Sequence, residues 1–64
     1  MNRELKSQII LYFGNQADAA QSLQLQESRL SRIIRGRVHA SKKEREAFAR
    51  VFGPKKTEDL LGAR

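Results

Sequence analysis

Four arginines stand at Arg29, Arg32, Arg35 and Arg37, spaced by three, three and two residues, with Leu30, Ile33 and Ile34 set between them. A guanidinium is a planar fork of donors that stays charged at any ordinary pH. It matches a phosphate, or the O6/N7 edge of guanine, with two parallel hydrogen bonds. On a helical wheel of about 100° per residue, Leu30, Ile33 and Ile34 share one side while Ser28, Arg32 and Arg35 fall opposite. Glu27, Arg29 and Ser31 lie on the flanks. The apolar side must dock on other elements, and the far side presents small hydroxyls and long cationic forks. A helix of this kind fits the major groove of duplex DNA, which admits one α-helix.

That placement divides the polar residues by role. The first residues of a groove-inserted helix reach base edges, so Glu27, Ser28 and Arg32 are the expected base readers. Glu27 has a second reading, as a first-turn acid that stabilises the helix dipole. Arg29, Ser31, Arg35, Arg37, Lys42 and Lys43 are expected at phosphates, where contacts position a protein without reading sequence. Gln16, opening an earlier helix, is a further phosphate arm or a helix cap. His39 is the lone histidine and reads as a loop residue or a weak phosphate contact.

Charge agrees with this division. The chain has 64 residues and a net charge of +6, and the segment from Arg29 to Arg45 holds seven Lys or Arg against one acid, Glu44. The remaining 47 residues hold six bases and six acids, which cancel. A one-signed patch is suited to a polyanion or to an acidic protein surface.

The elements that must position these residues read as helices throughout. Strand-like alternation is missing and β-branched residues are few. The spacing predicts helix 1 over about 3–13, with Asn2 as cap, Gly14 as stop, and Leu5, Ile9, Tyr12 and Phe13 facing the core; Ile10 is left near the edge. Helix 2 covers about 16–23 behind Asn15, with Ala17, Ala19, Ala20 and Leu23 on its apolar side. Helix 3, the recognition helix, covers about 27–35 and ends at Gly36. Ser41 and Glu44 form a capping box for helix 4, whose apolar positions are Ala47, Phe48, Val51 and Phe52 and whose stop is Gly53-Pro54. Thr57 caps a last short helix that ends at Gly62. The expected fold is therefore all-α: a single domain over residues 1–64, a compact bundle of five short helices. Only Gln24 and Leu25, with Gln26 as cap, separate helices 2 and 3, which is helix-turn-helix spacing.

The segment NQADAAQSLQLQESRLSRIIRGR resembles the Cro and lambda-repressor-like (XRE-type) helix-turn-helix family. Gln16, Ala20, Leu25, Ser28, Leu30, Ser31, Ile33 and Gly36 fit its pattern, and the lead-in YFG is similar to the FG that ends helix 1 in small phage Cro proteins. Two positions depart from it. Gln24 stands where the family often has a turn glycine, and Gln26 where it usually has a Ser or Thr cap. Both departures imply modest stability. The resemblance implies a transcriptional repressor or similar regulator that binds a double-stranded DNA operator as a homodimer. For such a dimer the leftover apolar residues near the C-terminus, Phe52, Leu60 and Leu61, are the expected surface, although Phe52 also suits the core.

Other classes fit less well. Readers of single-stranded RNA stack bases on exposed aromatics, and the three Phe and one Tyr here occupy core-like positions. An interaction or antitoxin-type module that meets an acidic partner remains the alternative. No cysteine, one histidine and no Gly-rich phosphate loop leave no basis for an enzyme, a metal centre, a cofactor or a small-molecule ligand. No apolar run approaches the roughly 20 residues that span a bilayer, and no signal peptide is visible, so the cytoplasm is the expected location.

Overall fold

The computed structural model describes residues 1–62. They form five helices and no strand: α1 (Arg3–Phe13), α2 (Gln16–Leu23), α3 (Glu27–Ile34), α4 (Lys42–Phe52) and α5 (Pro54–Leu61). One core holds them together. Leu5 and Ile9 of α1, Leu30 and Ile34 of α3 and Phe48 of α4 are fully buried, and Ala19, Ala20, Leu23, Ile33, Ala40, Ala47, Phe52 and Leu60 complete the cluster. Burying a side chain of this size removes its apolar surface from water, worth about 1.5–3 kcal/mol each before chain entropy is charged against it. Ala19 and Ala20 carry only methyl groups where α2 meets its neighbours, so α2 packs against α1, α3 and α4 with little between the backbones.

Helix ends are fixed by specific bonds. Asn2 ties three of them together. Its side-chain oxygen accepts from Leu5 N at 2.9 Å, its side-chain amide donates to Leu60 O at 2.6 Å, and its backbone N–H donates to Ile34 O at 2.7 Å. The start of α1, the end of α3 and the end of α5 are thereby joined through one residue. The Ser41–Glu44 capping box forms in full. α2 ends in a reversal that the chain closes with Leu25 N donating to Ala20 O at 2.8 Å and Gln24 N donating to Gln21 O at 3.2 Å. This double closure needs a left-handed residue at its centre. Gln24 takes that role with φ 59° and ψ 40°, as the only positive-φ residue other than glycine among those described. Leu25 follows it and packs against the core.

Four expectations need correction. α3 ends at Ile34, one residue early, because Arg35 takes the cap position before the left-handed Gly36. α5 starts at Pro54 and not at a Thr57 cap. Proline lacks the N–H that a first-turn residue leaves unused anyway and has its φ preset for a helix, so Gly53-Pro54 ends one helix and begins the next. Thr57 is an interior residue of α5, buried, with its hydroxyl making no hydrogen bond among the described residues. Tyr12 is half exposed and leaves the core, its ring edge-on to Phe52 at 4.9 Å and beneath the Lys56 ammonium at 5.9 Å. Ala17 is likewise exposed.

Candidate nucleic-acid interface

α3 is amphipathic in the way its sequence demands. Leu30, Ile33 and Ile34 are buried, while Glu27, Ser28, Arg32 and Arg35 are exposed and Arg29 and Ser31 are half-buried. Ser28 and Arg32 are one helical turn apart, and Arg35 continues the same side. Gln26 occupies the cap position of α3 without making a side-chain capping bond, so the first-turn N–H groups beside Glu27 and Ser28 stay open, next to the positive end of the helix dipole.

The far end of α3 closes tightly. Gly36 N donates to Ile33 O at 3.1 Å and Arg37 N donates to Arg32 O at 3.0 Å, with Gly36 at φ 78°. The same double closure ends α2 around Gln24. Here it folds Arg37 back onto the turn of the helix that bears Arg32.

Arg29 does something other than face outward. Its Nε and Nη2 donate to the two carboxylate oxygens of Glu44, both at 2.9 Å, and Nη2 also reaches His39 O at 3.2 Å. Glu44 Oε1 accepts from Ser41 N at 2.7 Å as well. The Arg29 bonds hold the Glu44 carboxyl below its ordinary pKa, against the opposing effect of partial burial, and Ser41 adds to the lowering. The same bonds raise Arg29 above an already high value. α3 and α4 make no close backbone approach, so this fork is the side-chain brace between them. Arg29 is therefore engaged with Glu44 and not free for the phosphate contact expected from the sequence. The available signal was that Glu44 is the one acid of the basic segment.

With Arg29 neutralised and Arg45 turned onto Gly62 O, five bases of the segment remain without an ion pair among the described residues: Arg32, Arg35, Arg37, Lys42 and Lys43. All five are exposed. They come from the exposed side of α3, the turn after it and the first turn of α4, which the brace holds in one arrangement. Gln16 is half-buried and makes no capping bond; Asn15 caps α2 instead, accepting from Asp18 N at 2.8 Å and donating to the Asp18 carboxylate at 3.2 Å. That carboxylate sits in the first turn of α2 and makes the expected phosphate site there less favourable. His39 is exposed and contributes only its carbonyl to the brace.

The C-terminal apolar residues do not form a free surface. Phe52 is 8% and Leu60 4% exposed, both in the core, and Leu61 packs against it half-buried. Phe52 is held by Tyr12, Phe13 and Phe48, whose rings surround it at 4.9, 6.5 and 6.3 Å, and Leu60 lies under the Asn2 bond. A dimer built on these residues would have to unpack the domain. No group of three or more His, Cys, Asp or Glu positioned to hold a metal occurs among the described residues, and no helix among them is long and apolar enough to cross a membrane.

Comparison with protein families, with curated proteins and with solved structures finds no match for this chain in any of the three.

Proposed function

We propose that this protein binds duplex DNA in a sequence-specific manner, as a small repressor or similar regulator, with α2, the turn at Gln24 and α3 acting as a helix-turn-helix. The observation that carries this reading is the division of α3. One side is locked in the core through Leu30, Ile33 and Ile34, and the other offers Ser28, Arg32 and Arg35 without a compensating acid partner. A rigid, thin, cationic helix face is what a major groove accepts. Ser28 and Arg32 are the base readers, with Glu27 at the helix start able to accept from a cytosine amino group. Arg35, Arg37, Lys42 and Lys43 meet phosphates on either side, and Ser31 and Gln16 add lesser contacts. The resemblance to the Cro and lambda-repressor-like family supports the same docking.

The test is binding of the purified chain to labelled duplexes, to single-stranded RNA of equal length and to an acidic peptide, each across a salt series. About four or five phosphate contacts give a log–log salt slope near −4 on duplex DNA. Tight duplex binding with that slope and weaker binding to the other two supports the reading. Preference for RNA or for the acidic peptide overturns it.

A further inference from the structure

We infer that the outward face of α1 docks a partner protein of one kind, an acidic amphipathic helix. The inference goes beyond duplex binding and does not rest on it, since this face shares no residue with the exposed side of α3.

α1 is apolar on two sides. Leu5 and Ile9 lie in the core, yet Ile10 is 44% and Leu11 76% exposed. With Arg3, Lys6 and Ser7 they line one open groove along the helix. Among the described residues, every exposed large apolar side chain belongs to α1 or to Met1 just before it. Apolar surface gathered on one element in this way marks a contact site.

Charge selects the partner. Two cations and no acid line the groove, and Arg3 and Lys6 form no ion pair among the described residues. Glu4, the exposed acid of the same turn, falls on the far side of Leu11 on the helical wheel. It lines a second groove with Lys55, Lys56 and Asp59 of α5, where two acids already stand with two bases. Even with Glu4 counted, the face carries two bases, Arg3 and Lys6, against one acid. A phosphate backbone would neutralise those bases and leave Ile10 and Leu11 in water. A second copy of the same face would bring more bases than acids to meet them. An acidic helix with an apolar stripe covers both kinds of residue at once.

Backbone chemistry selects a helix over an extended segment. The peptide groups along α1 are spent within the helix, so a strand laid on it finds no backbone partners. A helix arrives with its own bonds satisfied and offers only side chains. Leu or Ile residues of the partner, repeating at the helical period, sit over Ile10 and Leu11, and small Ser7 between them leaves the hole for one large side chain. Glu or Asp at the edge of that stripe pairs with Arg3 and Lys6. A single helix of 11 residues offers well under the roughly 800 Å² per partner of a standard stable interface, so the complex is weak and transient.

The probe is a synthetic amphipathic helical peptide about four turns long, with a Leu stripe edged by Glu. One control peptide is its scramble, and a second carries Lys in place of every Glu. Each is titrated into the isotope-labelled chain, without nucleic acid, and followed by amide NMR shifts. The Glu peptide should move Lys6, Ser7, Ile10 and Leu11, and the two controls should bind about tenfold more weakly or worse. Leu11→Glu should weaken the Glu peptide by about tenfold or more. The double variant Arg3→Glu, Lys6→Glu should reverse the preference toward the Lys peptide. All three side chains are exposed, so these variants should keep cooperative thermal melts by circular dichroism. No shift on α1 up to about 1 mM Glu peptide overturns the inference. So do shifts centred on Arg32, Arg35 and Lys43, which would place the peptide on the cationic side of α3, and equal binding of the scramble. A groove filled instead by a second copy of the chain, seen as a concentration-dependent mass that Leu11→Glu abolishes, or by anionic vesicles of phosphatidylcholine and phosphatidylglycerol, also overturns it.

Discussion

Arg29 grips Glu44 with two hydrogen bonds of 2.9 Å, and through the second oxygen bond to Ser41 it locks α3 to the capped start of α4. The pair is solvent-exposed on its arginine side, so water screens it and its direct contribution to stability is small. Its larger effect is on arrangement: it fixes Lys42 and Lys43 relative to Arg32 where the backbones of α3 and α4 do not touch. Because the Glu44 carboxyl sits below its ordinary pKa, its contribution is complete above the unfolded value of about 4.3 and is lost as pH falls through the lower folded value. Glu44→Gln keeps a capping-box side chain and removes the charge. Denaturant melts between pH 7 and pH 2 should show this variant less stable at pH 7 and equal to wild type at the acid end. A constant difference across that range contradicts the assignment.

Gln24 supplies the second prediction. A left-handed conformation costs a residue with a Cβ roughly 1–2 kcal/mol, part of which glycine gives back through its freer unfolded chain. Gln24→Gly should stabilise the fold by about 0.5–1 kcal/mol, seen as a Tm increase of a few degrees for a domain of this size. Leu25 N and Gln24 N keep their acceptors in the variant, so a lowered Tm contradicts the account of the turn.

Asn2 gives a discriminating pair of variants. Asn2→Ala removes both the cap of α1 and the bond to Leu60 O, and should cost about 2 kcal/mol. Asn2→Asp keeps a good cap and adds a charge that suits a helix start, but it replaces the donor to Leu60 O with a carboxylate. It should still be destabilised, by about 1 kcal/mol. An Asp variant as stable as wild type, or more so, shows that the tie between α1 and α5 contributes nothing.

Much of this architecture is legible in local sequence. Asn2, Asn15 and Ser41 are caps because short polar side chains reach the next turn, and Leu30, Ile33 and Ile34 repeat at the helical period. Both are short-range signals. What is not legible is what distant residues do to one another. Arg29 and Glu44 are 15 positions apart, and nothing nearby in the sequence marks the pair. Tyr12 has the helical period of a core residue, yet Phe52 and Phe13 fill the space, and the ring is left at the edge under Lys56. Pro54 reads as a breaker, which it is for α4, but the same fixed φ begins α5. Phe52 fills the core as its helical spacing suggests, whereas Leu60, expected at a dimer surface, is buried because the core is assembled from all five helices. The exposed side of α3 was legible in full, since amphipathicity alone decides which of its residues face out.

The central claim is that the outward side of α3 reads base edges, with Arg32 closest to them. Its most direct test is the affinity of wild type, Arg32→Ala and Arg32→Lys for a duplex enriched from a random library and for a scrambled duplex of the same composition. An arginine paired with guanine discriminates by about 1–3 kcal/mol. Arg32→Ala should lose that much on the enriched duplex and much less on the scrambled one. Arg32→Lys should regain non-specific affinity but only part of the selectivity, because an ammonium lacks the fixed fork. Equal losses on both duplexes would reduce Arg32 to a phosphate contact and contradict the account.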